Sequence, residues 1–172
     1  MARRILITGC SSGGKSTLLN KLAERGHAVV PEAGLRAIRL QGLKPWEDLP
    51  AFIDFVTGVC LQDLDQDFGA DRTVFYDRGL FDALSGKAAL LKTSVSELLP
   101  NTFPYSEPVF FAPTWPDIFE NTADRRLALE VAEEEAIRLR RDLDLLNIQV
   151  VELPRVTAEL RADFVLSELD LR

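Results

Sequence analysis

The chain reads as an α/β fold of three layers, a five-stranded parallel sheet with helices on both faces. Three observations predict this. Short apolar runs alternate with longer segments of helical period, glycine and proline fall between them, and a glycine-rich stretch joins the first run to a helix. Strands separated by helices pair in parallel through right-handed crossovers, which places helices on both faces of the sheet.

The first strand is Arg3 to Thr8, and its helix runs from about Lys15 to Arg25, ended by Gly26. Ala28-Val29-Val30 is a short buried strand stopped by Pro31, and Ala33 to Gln41 reads as a helix. After a loop from Gly42 to Glu47, Pro50 suits a helix start, and Ile53, Val56, Cys60 and Leu64 form its apolar stripe; the end is expected near Gly69. Thr73 to Tyr76 is the third strand, Phe81 to Leu91 the next helix, and Val109 to Ala112 the fourth strand, closed by Pro113 and Pro116. Ala123 to Asn147 carries leucines and alanines at helical spacing, with Glu134 and Arg138 placed to pair and the run Glu133-Glu134-Glu135 read as a solvated face. Gln149 to Glu152 is the fifth strand and Val156 to Leu169 the last helix.

Composition narrows the function. The sequence has 172 residues, 47% of them hydrophobic, which suits one domain over residues 1–172 with a core that needs no staples. A net charge of −7 argues against generic nucleic-acid or anionic-membrane binding, while one pocket with a few cations still handles a phosphorylated small molecule. Cys10 and Cys60 have no metal or disulfide spacing and suit a reducing compartment. Ile5-Leu6-Ile7 before Cys10 is too short for a signal peptide, and no apolar run has the length of a membrane span, so a cytoplasmic protein is expected.

Gly9-Cys10-Ser11-Ser12-Gly13-Gly14-Lys15-Ser16 fits G-x-x-x-x-G-K-[ST], between strand and helix. Glycines let backbone N–H groups turn toward phosphate oxygens, and the helix beginning at Lys15 points its positive end at the same anion. Lys15 then reaches the β- and γ-phosphates, Ser16 ligates Mg²⁺, and Thr17 offers a hydroxyl toward the α-phosphate.

Glu32 follows the second strand directly, where a carboxylate accepts the proton of an attacking hydroxyl; the alternative is a cap for the helix from Ala33. Asp77 ends the third strand at the place of a metal- or acceptor-binding carboxylate, and Arg78 beside it suits acceptor or transferred phosphate; the alternative is a structural ion pair. Arg125 and Arg126 open the long helix after a polar, lid-like segment at about 117–127, from which they would neutralise charge on the moving phosphoryl group. Arg36 and Arg39, one turn apart, are candidates to line the acceptor pocket. Asp67-Phe68-Gly69 is a coincidental tripeptide, His27 lies in a turn away from any triad, and Trp46 and Trp115 read as caps on the core edge.

The phosphate loop, Val30-Pro31-Glu32-Ala33-Gly34, Tyr76-Asp77-Arg78-Gly79, the break at Ala112 to Pro116 and Glu152-Leu153-Pro154 together resemble the P-loop ATPase/kinase (AAA) domains related to the ribosylnicotinamide kinase part of NadR. That resemblance implies strand order 2-3-1-4-5, ATP and Mg²⁺ as cofactors, and an acceptor pocket between Glu32, Asp77 and a lid. It also implies that Pro154 and Arg155, after the last strand, face adenine. Related sequences carry arginine directly after E-A-G; here Leu35 stands there and Arg36 one place later, about 100° around the helix. The leading expectation is a kinase for a small hydroxylated metabolite, nucleoside- or nucleotide-like. The alternative is an ATP- or, less so, GTP-dependent ATPase or switch acting on a protein partner; N-K-x-D and D-x-x-G are absent from the sequence.

Overall fold

The structure, a computed structural model, describes residues 2–119 and 128–171. Its strands are β1 (Arg3–Gly9), β2 (Ala28–Val30), β3 (Thr73–Asp77), β4 (Ser106–Ala112) and β5 (Val150–Glu152). All pair in parallel, in the order β2-β3-β1-β4-β5, so the crossovers leave the carboxyl ends of all five at one edge. The helices are α1 (Lys15–Glu24), α2 (Ala33–Gln41), α3 (Leu49–Leu64), α4 (Leu80–Leu91), α5 (Val95–Leu98), α6 (Leu129–Leu145) and α7 (Ala158–Glu168).

Alternation along the strands divides the core in two. Ile5, Ile7, Phe75 and Phe110 point to the side covered by Leu18, Leu19 and Leu22 of α1 and Ala162, Val165 and Leu166 of α7. Leu6, Val74, Tyr76, Val109 and Phe111 point the other way, onto Leu64 of α3, Phe81 and Leu84 of α4, and Leu139 and Leu143 of α6. Each fully buried side chain of this size contributes roughly 1.5–3 kcal/mol.

The largest departures from the sequence reading are four. β4 begins at Ser106 rather than Val109 because Pro108 falls where the β1–β4 register shifts, a position at which its missing N–H interrupts no regular ladder. α3 ends at Leu64, ahead of Gly69. α5 is an additional helix, started by Ser94 and Glu97, which cap each other's turn. α6 begins at Leu129, because Ala128 is extended (φ −67°, ψ 149°) and serves as its N-cap; the earlier part of the expected helix, from Ala123, lies outside the described residues.

Candidate active site

The phosphate loop leaves β1 at Gly9, whose φ of +112° only glycine adopts readily; a Cβ there would also lie 2.3 Å from the Ala112 carbonyl oxygen. The Cys10 N–H donates to that oxygen (2.9 Å), which anchors the loop to the end of β4. Gly13 closes the turn on the Cys10 carbonyl (3.2 Å), and Gly14, at φ +77°, is the N-cap of α1. Lys15 is buried and donates through Nζ to the carbonyls of Cys10 (2.7 Å) and Gly9 (3.4 Å). Ser12 is half-buried, and Thr17 is exposed on the first turn of α1.

Ser16 Oγ donates to Asp77 Oδ2 (2.6 Å). The other oxygen, Asp77 Oδ1, is buried without a hydrogen-bond partner among the described residues. Burial and the nearby Glu32 charge raise the Asp77 pKa, against Lys15, Ser16 and Arg78, which favour the carboxylate. A hydroxyl beside an unsatisfied carboxylate oxygen fits a hard divalent cation such as Mg²⁺. No three His, Cys, Asp or Glu side chains among the described residues form a metal cage, so such an ion would depend on phosphate oxygens and water for its other ligands.

Arg78 is built into the site by its own backbone, at φ +57°, with its N–H on the Ile7 carbonyl (2.9 Å). Its guanidinium forms a fork with Glu135 of α6 (Nη1–Oε1 2.8 Å, Nη2–Oε2 2.9 Å) and also donates to the Gly9 carbonyl and Ser11 Oγ. Glu32 Oε1 lies 3.9 Å from its Nε. Burial alone would raise the Glu135 pKa, but the guanidinium prevails and brings it down to about 2. Glu135 therefore belongs to the site and not to a solvated face. Its only sequence signal was a place in an acidic run.

Glu32 stands at the N-cap of α2, yet its side chain makes no capping bond. It lines a cavity of about 900 Å³ that runs from Ser11, Arg78 and Glu135 out to Trp46, Leu49, Phe52 and Ile53. Trp46 thus forms a wall of this cavity and is not a core cap. Cys60 also lines it, but burial, with Asp82 and Asp63 nearby, pushes its thiol up to about 12, which removes it as a nucleophile. At the deep end Asp82 closes the start of α4: its Oδ2 accepts from the Gly79 N–H (3.0 Å) and its Oδ1 from the Thr8 hydroxyl. Gly79 is required because the Tyr105 hydroxyl, which accepts from the Leu80 N–H (2.8 Å), would lie 2.0 Å from any Cβ there.

Other candidates are placed elsewhere. Arg36 is committed to a fork with Asp63, tying α2 to α3, and does not line the cavity. Arg138 is the exception: it lines the cavity, with its Nε turned to Ser85 Oγ (3.1 Å). Arg155 is exposed and donates to the Thr114 carbonyl, while the Pro154 carbonyl accepts from Arg161 Nε (2.7 Å). Trp115 lies under the Arg161 guanidinium, 4.8 Å from ring centroid to carbon. Arg125 and Arg126, and most of the lid-like segment, lie outside the described residues.

Structures similar to this one include deoxyadenosine kinase from M. mycoides with bound dATP, at TM-score 0.68 and 12% identity, covering 98% of this chain and 99% of that one. Shikimate kinase from Acinetobacter baumannii in complex with shikimate follows at 0.61 and 18%, covering 99% and 94%. Shikimate kinase from Aquifex aeolicus follows at 0.59 and 14%, covering 97% and 96%. At these identities the likeness is one of fold, and strand order 2-3-1-4-5 agrees with it. No curated protein matches the sequence. The AAA domain family matches residues 4–161, nearly the whole length, and the chain belongs to that family.

Proposed function

We propose that the protein is a kinase that moves the γ-phosphoryl group of ATP, held as its magnesium complex, to a hydroxyl of a small nucleoside- or nucleotide-like metabolite. The observation that carries this reading is the cavity of about 900 Å³ running from Glu32, Ser11 and Arg78 at the loop to Trp46 and Phe52. That volume holds a metabolite, and aromatic walls suit a flat ring. The similarity to nucleoside and shikimate kinases, and the resemblance to the kinase part of NadR, support the same class.

In this reading Gly9, Ser11, Ser12, Gly13, Gly14 and Thr17 cradle the triphosphate, with Lys15 on the β- and γ-phosphates. Ser16 and Asp77 would hold Mg²⁺, which supplies charge neutralisation on the phosphate oxygens. Glu32 takes the proton of the acceptor hydroxyl. Arg78, fixed by Glu135, orients the acceptor at the loop; Arg125 and Arg126 complete the phosphoryl site, and Pro154 and Arg155 face the base. A cavity for a small acceptor beside a carboxylate favours a kinase over a switch that acts on a protein partner.

The test is Mg²⁺-dependent ATP consumption across a panel of nucleosides, nucleotides and other hydroxylated metabolites. One acceptor class should raise turnover strongly. Lys15→Ala should abolish the gain, and Glu32→Gln should lower kcat by about 10²–10⁴ with ATP binding retained. ATP bound without any acceptor dependence would overturn the kinase reading in favour of the switch.

A further inference from the structure

Arg161 of α7 is the largest fully buried side chain among the described residues, at 1% exposure. Its Nε donates to the Pro154 carbonyl (2.7 Å), its Nη1 to the Gly13 carbonyl (2.6 Å), and its plane lies over Trp115. Nη2 is buried and, among the described residues, has no hydrogen-bond partner. No described carboxylate pairs with this guanidinium, and burial, together with Arg155, lowers its pKa. A buried cation without an acid is costly, and carbonyls and one ring only partly offset that. The cation lies directly beneath the phosphate loop, since a Cβ on Gly14 would be 3.0 Å from Nη1.

We infer that Arg161 is a positioning residue of the donor site, whose unneutralised charge is matched by the triphosphate of the nucleotide held in the loop. In a trans peptide the C=O and N–H point opposite ways, so a fixed Gly13 carbonyl fixes the Gly14 N–H, one of the amides of the loop. The charge adds to the positive end of α1. Through Pro154 and Trp115 the same side chain ties the loop after β1 to the segments after β5 and β4. The inference rests on the donor reading of the loop.

Calorimetric titration of the full chain with Mg-ATP, inorganic tripolyphosphate and adenosine tests it. Arg161→Met and Arg161→Gln should each weaken tripolyphosphate and ATP by about tenfold or more, and adenosine far less. Arg161→Lys, which keeps the charge but not the fork, should fall between these and the native chain. KM for ATP should rise with KM for the acceptor unchanged, a split that general loosening would not produce. In a Trp46→Phe background, Trp115 emission should respond to tripolyphosphate, and Arg161→Gln should remove the response. If Arg161→Met does not fold by circular dichroism, Gln against Lys carries the comparison. Native affinity for tripolyphosphate in the neutral variants overturns the inference and leaves the donor reading intact. If the native chain binds neither ATP nor tripolyphosphate, the donor reading fails first and the inference with it.

Discussion

Asp82 shows how one side chain ties site to stability. It is fully enclosed between Thr8, Gly79 and Arg78, and burial, opposed by the Arg78 charge and the Thr8 hydroxyl, raises its pKa from 3.8 to about 6. A carboxyl with a raised folded pKa holds its proton longer in the folded chain. Its contribution to stability is therefore complete below the unfolded value and is lost as pH rises through about 6. Over the whole titration, from below pH 4 to above pH 6, this loss is on the order of 3 kcal/mol by linkage. Urea melts of the native chain and Asp82→Asn across that range check it: the difference in unfolding free energy between them should move with pH in that direction, and a flat difference would refute the shift. Glu135 has the opposite sign, since its pKa is down to about 2, so its contribution persists above the unfolded value and fades only toward pH 2. The two effects therefore separate along the pH axis.

At the scale of elements, the junction of β3 and α4 is the tightest part of the site. Asp77 ends the strand, Arg78 takes a left-handed turn, and Gly79 admits the Tyr105 hydroxyl that receives the first N–H of the helix. Gly79→Ala forces a Cβ into that oxygen and should destabilise by about 2 kcal/mol or more. Tyr105→Phe removes the obstructing oxygen, so the double variant should cost less than the sum of the singles in denaturant melts; simple additivity would show that the close approach is not the cause. The D-R-G segment was legible as a motif in the sequence. The reason for its glycine was not, because Tyr105 stands 25 residues beyond Leu80. α3 stops at Leu64, where its apolar stripe stops, and α6 starts at Leu129, where its own stripe starts; the sequence reading carries both helices on to the next polar or glycine punctuation, past those stripes.

Over the whole molecule, the sheet stands between two cores, one on each face. Phe75, fully buried on the α1 and α7 side, stands in the same strand as Asp77, with Tyr76 on the opposite face. Phe75→Ala should cost about 3–5 kcal/mol, read as a lower midpoint at unchanged slope in urea. A changed slope would instead show that the two cores unfold separately.

Legible from the sequence alone is what is local: the phosphate loop, the carboxylate that follows the second strand and the one that ends the third, and the alternation that makes a parallel sheet. These are legible because a turn, a strand end or a helix start depends on neighbours a few residues away. Tertiary structure decided the rest. Glu135 meets Arg78 across 57 residues, Arg161 meets Gly13 across 148, and Arg36 is drawn away to Asp63. Which helix face meets which strand end follows from the packing of whole elements against the sheet, and no spacing along the chain encodes it.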